Sequence, residues 1–306
     1  MKTAAAQVAI LYILVLVGFI CDKTKLFTRK TADATVDLLL YIITPCILIN
    51  SFIEMEYSTE AVKKFFLSFG LMTATHIIGI ILSYPFFRKK DALNLNPMYR
   101  YASIYGNVGF IALPLANAIL GPEGVFYCSS GVIVFNIITF THGMKLIGGE
   151  LYKFDWKKLI LNPGVISIII GLPLFLLNVR VPYVLARPVS LLADLNGPVA
   201  MLIFGTFLAN TELKTIFRET KIYLVGFLKL LLMPIICIGV YALCGVRGTL
   251  LTACAITACV PSGNNTFMFS SKFGKDIGPA SKTVSLVNFI SIITMPFIIA
   301  AAQSIT

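Results

Sequence analysis

Tyr105-Gly106-Asn107-Val108-Gly109, with Leu113-Pro114 close behind, and Val260-Pro261-Ser262-Gly263-Asn264-Asn265-Thr266 are two clusters of helix breakers and amides set in otherwise apolar sequence. Proline removes a backbone donor and clashes with the preceding turn, and glycine tolerates dihedrals outside the helix, so continuous helix is disfavoured at both places. In hydrocarbon an interrupted backbone is tolerated only against protein or a polar cavity, so each break implies a site rather than a lipid-facing kink. The exposed half-helix N-termini present N–H groups and positive dipole ends to an anion. Asn107, Asn264, Asn265 and Thr266 supply adaptable hydrogen bonds there, and Gly106, Pro261, Ser262 and Gly263 shape the place where the two segments cross.

Composition identifies the solvent around these breaks. Of 306 residues 58% are hydrophobic and only 13% charged, where soluble domains carry roughly 25% charged residues. With a mean hydropathy of +0.88, a water-facing surface could not be covered, and membrane lipid is the expected partner. The net charge of +11 reflects cationic cytoplasmic loops rather than nucleic-acid binding, since no basic stripe interleaved with aromatics accompanies it. Seven cysteines (Cys21, Cys46, Cys128, Cys237, Cys244, Cys254, Cys259) lie in or beside apolar runs without a C-x-x-C pair, which makes them small packing residues rather than metal ligands or disulfides. No metal or cofactor is expected. Nor is catalysis, because G-x-S-x-G, H-E-x-x-H and P-loop signatures are all lacking. The run from Met1 to Asp22 is followed by no small-x-small cleavage site and is long enough to span, so it is expected to be retained as a first span.

Apolar stretches of about 17 to 25 residues fall at 3–21, 35–53, 63–85, 98–119, 124–147, 162–178, 185–209, 221–244, 249–271 and 277–301, predicting an all-α polytopic protein of ten spans. Loops after odd-numbered spans hold eighteen Lys and Arg, and the other side holds six (Lys2, Lys63, Lys64, Arg180, Arg187, Arg247). Positive charge stays inside, which places both termini extracytoplasmic in a multi-pass inner-membrane protein. Sliding the chain by 153 residues sets Gly18 on Gly171 and Thr44-Pro45 on Gly197-Pro198; a shift of 152 pairs Asn136 with Asn288, and 157 pairs Gly106-Asn107 with Gly263-Asn264. Matches in order near one offset divide the chain into repeats 1–153 and 154–306. Five spans is an odd number, so the second repeat is inverted, as in alternating-access carriers.

Ionisable groups inside spans are costly and point to function. Lys229, about eight residues into its span, faces the bundle or a wet cavity, or else it snorkels. Its counterpart at the 153 offset is His76, either a satisfied core histidine or a proton-sensitive group. Asp194, near Asn196-Gly197-Pro198, is the one carboxylate expected well inside hydrocarbon. Glu123 and Asp276 open helices and complement their dipoles. Both breaks carry neutral amides and hydroxyls rather than carboxylates, which disfavours strict cation antiport.

At these residues the sequence resembles the auxin efflux carrier family, which includes plant auxin carriers and bacterial permeases for small organic acids. The resemblance rests on Tyr105 through Leu115, Asn162-Pro163 leading to Gly171-Leu172, Lys229 with Pro234, and Pro261 through Thr266 continuing to Lys272-Phe273-Gly274. It implies a fold like that of sodium/proton antiporters and bile-acid symporters, with crossed broken fourth and ninth helices. It also implies a dimeric scaffold part (about 1–55 and 160–210), a moving transport part (about 60–148 and 220–302), and a small organic anion as substrate. Plant members have proline where this chain has Gly106, and an apolar second crossover where it has Asn264, Asn265 and Thr266, so a small carboxylate of bacterial type is favoured over auxin. The alternative is a sodium- or proton-coupled symporter of bile-acid-transporter type. A carrier-like receptor is disfavoured for want of an output domain.

Overall fold

Helix follows the apolar stretches because hydrocarbon leaves the backbone no partner but itself. The computed structural model describes residues 4–88, 94–210 and 219–305. Its main helices are α1 Ala4–Lys23, α2 Arg29–Glu54 and α3 Thr59–Phe87, α4 Asn96–Ile104, α5 Val108–Leu151 and α6 Pro163–Leu176. They continue with α7 Tyr183–Ala209 and α8 Thr220–Leu243, α9 Gly248–Cys259, α10 Asn265–Lys272 and α11 Ile277–Gln303. Among the described residues six (α2, α3, α5, α7, α8, α11) are long and apolar enough to cross a membrane by length and composition. No strand occurs among them, only an isolated antiparallel bridge between Gly106 and Ser262.

Local chemistry sets where these helices bend and stop. Wide π turns at Leu39–Ile43 and Leu228–Leu232 immediately precede Thr44-Pro45 and Met233-Pro234, where proline withholds the N–H that an α-turn needs. Asn162 accepts from Gly164 N at 3.0 Å with Pro163 at the first helical position, opening α6. Asp276 does the same for α11 through Gly278 N at 2.9 Å. The loop expected between the fourth and fifth spans contracts to one non-helical residue, Gly121, whose φ of 66° suits glycine. Outward faces are apolar: Ile10, Ile13, Leu16 and Ile20 of α1 and Ile293 and Phe297 of α11 are all exposed, as a lipid solvent requires.

The chain separates into two compact units. The first falls within Met1–Gly70, Gly109–Ile133 and Lys157–Asn210. Here α1 lies directly on α7, and a β-carbon at Gly18 would overlap the Leu202 backbone, while one at Gly205 would overlap Val15 O and Phe19 N. Likewise α6 lies on α2, with Gly171 against the Phe52 ring. Phe126 joins them edge-on to Phe52 at 5.3 Å and to Phe175 at 4.8 Å. Asn196 Nδ2 donates to Thr44 Oγ1 at 3.4 Å, so the two proline-bearing bends paired by the repeat comparison meet here.

The second unit falls within Leu71–Val108, Val134–Trp156 and Thr211–Thr306 and contains both helix breaks. Met98, Tyr99 and Ala102 of α4 pack with Ile222, Val225 and Leu228 of α8 and with Ala280, Leu286 and Val287 of α11.

Close backbone approach makes Gly205 irreplaceable in the first unit. Gly205→Leu is expected to cost at least the roughly 1–3 kcal/mol typical of overpacking and to lower the thermal unfolding midpoint in detergent. Gly239→Ala, where a β-carbon meets nothing within 4 Å, should leave that midpoint in place.

Candidate functional site

The breaks α4/α5 and α9/α10 cross each other within the second unit. Asn107 N donates to Pro261 O at 2.8 Å, and Gly263 N donates to Tyr105 O at 3.1 Å. These two bonds make the Gly106–Ser262 bridge, so backbone freed from one helix is satisfied by backbone freed from the other. Gly106 and Gly263 are required by proximity: a β-carbon on Gly263 would lie 3.2 Å from Gly106 O, and one on Gly106 would press on Val260 at 2.8 Å. Ser262 Oγ reaches back to Ala102 O at 2.7 Å, pinning the second break to the last turn of α4. Asn107, Pro261, Ser262, Gly263 and Thr266 are buried, with Asn264 and Asn265 half-buried.

Lys229 sits beneath this crossing. It is 1% exposed and therefore does not snorkel. Its Nζ donates to Ile104 O at 3.3 Å and to Ala258 O at 3.1 Å. Those carbonyls belong to the last turns of α4 and α9, the negative ends of two half-helices, each equivalent to about half an elementary charge. One ammonium thus faces two half-charges, and a cation that hydrocarbon would reject is compensated without a carboxylate. Its aliphatic stem packs where a β-carbon on Gly106 would be, 3.1 Å from Lys229 Cε.

Of the remaining sequence candidates, His76 lies beside the first break and Asp194 lies in the first unit. His76 is buried on α3, with Nδ1 2.8 Å from Met72 O and its ring 6.0 Å from that of Tyr105. Asp194 is exposed, on α7 in the first unit, and is not one of the residues brought to the crossing. Among the described residues no group of acidic, cysteine and histidine side chains is arranged to hold a metal ion.

Sequence reasoning passed over an aromatic and hydroxyl wall beside the crossing. Tyr101 on α4 and Tyr105, four residues on and just past the end of that helix, stack with ring centres 4.4 Å apart. The Tyr105 hydroxyl lies 2.7 Å from His142 Nδ1. His142 and Thr139 are carried by a π segment of α5, Thr139–Gly143, a distortion frequent at functional places. The i, i+4 tyrosine spacing was a signal available in the sequence; the π segment, in a run containing no proline, was not.

Removing the ammonium separates its structural role from any other. Lys229→Met would strand Ile104 O and Ala258 O in the interior at about 1–3 kcal/mol each, so a marked fall in thermal midpoint is expected in detergent. An unchanged midpoint would mean that the two carbonyls find other partners.

Comparison with known proteins places the chain in a family. A family model described as membrane transport protein matches residues 3–299. A candidate malonate transporter of Rhizobium meliloti (strain 1021) is 23% identical over 251 residues, 77% of this chain and 76% of that one. An uncharacterised transporter of Methanocaldococcus jannaschii is 21% identical over 298 residues, 94% of this chain and 95% of that one. Auxin efflux carrier component 3a of Oryza sativa subsp. japonica is 26% identical over 145 residues, covering 46% of this chain but only 23% of the plant protein. With its breaks, its apolar exterior and a family match over nearly its whole length, the chain belongs to the membrane transport protein family of the auxin efflux carriers, which are transporters and not enzymes.

Proposed function

We propose that this protein is a secondary carrier of a small organic anion, a mono- or dicarboxylate such as malonate or malate, working by alternating access. The crossing of the two broken helices, with Asn107 and Asn265 at its edges, is the observation that carries this reading. Lys229 occupies the carbonyl ends of α4 and α9, while Val108 N and Thr266 N are engaged by Gly106 O and Gly263 O; the positive dipole ends of α5 and α10 remain to favour an anion. Asn107, Asn264, Asn265 and Thr266 orient the substrate by hydrogen bonds. The resemblance of 251 residues to a candidate malonate transporter supports a carboxylate as cargo.

Movement in this reading is of elevator type, with a transport part of about 60–148 and 220–302 displaced against a scaffold of about 1–55 and 160–210 that joins two copies into a homodimer. Two inverted repeats of five spans account for the architecture. Support comes from counterparts that share surroundings: Gly18 seats α1 on α7 while Gly171 seats α6 on α2, and His76 and Lys229 both border the Tyr105-Gly106 break. Net charge crossing the membrane is driven by about 2.3 kcal/mol per elementary charge per 100 mV, so export of an anion needs no coupling ion. Both termini lie on the extracytoplasmic side of the inner membrane.

Counterflow of radiolabelled malonate in proteoliposomes tests the reading. Asn107→Ala and Asn265→Ala are each expected to abolish counterflow while retaining the wild-type elution profile and thermal midpoint. Wild-type rates in both variants would remove the crossing as the substrate site, and activity that appears only with a sodium or proton gradient would replace uncoupled transport by symport.

A further inference from the structure

Buried polar atoms without partners are rare in native proteins, and each one asks what satisfies it. Among the described residues of the second unit such atoms are Arg100 Nε and the Tyr101 hydroxyl on α4, Thr139 Oγ1 on the π segment of α5, Thr266 Oγ1 in the first turn of α10 and Asn288 Oδ1 on α11; the three hydroxyls belong to elements that meet at the crossing. Tyr101, Thr139 and Thr266 are each 0% exposed. The Tyr101 hydroxyl faces the side chains of Thr139 and Asn265 without completing a hydrogen bond to either. A hydroxyl of α4, a hydroxyl of α5 and the amide that opens α10 therefore converge on one spot at a helix N-terminus.

Their placement is held by packing rather than by mutual hydrogen bonds. The Tyr101 ring is stacked on Tyr105 at 4.4 Å and meets Phe269 edge-on at 5.7 Å. Gly143 allows the π segment to come against both tyrosines: a β-carbon there would lie 2.8 Å from the Tyr101 ring and 3.1 Å from that of Tyr105. Met144 and Ile147 complete an apolar surround. In such surroundings a hydrogen bond to an anion is stronger than in water, and an unmade one is correspondingly costly.

We infer that Tyr101, Thr139 and Asn265 form a carboxylate subsite, in which the two hydroxyls and the Asn265 amide donate to the oxygens of one carboxylate at the start of α10. This rests on the reading of the protein as an organic-anion carrier and deepens it, assigning two specificity residues outside the amide-rich breaks. The three donors are neutral, and Lys229 remains engaged on Ile104 O and Ala258 O. Neutral donors suit cargo that must be released on the far side of the membrane.

The test is the concentration dependence of radiolabelled malonate transport by full-length Tyr101→Phe and Thr139→Val in proteoliposomes, with malonate-induced thermal stabilisation in detergent as a second readout. Each substitution removes a donor and little volume. Because a hydrogen bond to a charged group is involved, KM is expected to rise about tenfold or more in each variant, with the maximal rate largely kept and the malonate-induced stabilisation reduced. Wild-type KM and wild-type stabilisation by malonate in both variants, with Asn265→Ala inactive, would overturn the subsite and leave the carrier reading standing, the hydroxyls then serving water alone. A wild-type protein that neither moves nor is stabilised by any carboxylate would overturn the carrier reading and the subsite with it.

Discussion

Two helices broken inside an apolar protein free carbonyl and amide groups that need partners, and the second unit supplies them from backbone, Ser262 and Lys229. Backbone bonds between Asn107 and Pro261 and between Gly263 and Tyr105 take two of the carbonyls. Ser262 takes another, and Lys229 takes one from each half-helix. The ammonium is the component without a substitute, because it alone matches the paired negative ends of α4 and α9 in charge as well as in hydrogen bonding. The carbonyl side of the crossing is thereby occupied by Lys229.

Packing transmits this local requirement outward. Gly106 admits both Val260 and the Lys229 stem, and the π turn Leu228–Leu232 that carries Lys229 exists beside Pro234. Beyond it, α4, α8 and α11 share one apolar core, and Tyr99 and Lys282 converge on Glu219 at the start of α8.

Much of this was legible in the residues. Gly106, Pro261 and Gly263 announce broken helix because their backbone chemistry forbids the alternative, and the positions of the interruptions, Ile104 to Val108 and Cys259 to Asn265, follow them. Lys229 was legible as an anomaly, a charge in a leucine run, but its partners were not, since backbone carbonyls are invisible to side-chain pattern reading. Asp194 lies on an exposed helix face, a placement that a carboxylate amid apolar residues does not by itself reveal. Tyr101, Thr139 and His142 went unread because their convergence depends on a π segment in α5 that shifts which residues face α4.

The account turns on whether neutral donors and helix dipoles at the crossing pass an anion without a coupling ion. Charge movement by purified protein in proteoliposomes, challenged with malonate, malate and indole-3-acetate in the absence of sodium and proton gradients, measures this most directly. The account predicts currents that saturate with a small carboxylate and carry the sign of anion transfer; electrically silent liposomes that respond only once a sodium or proton gradient is imposed would contradict it.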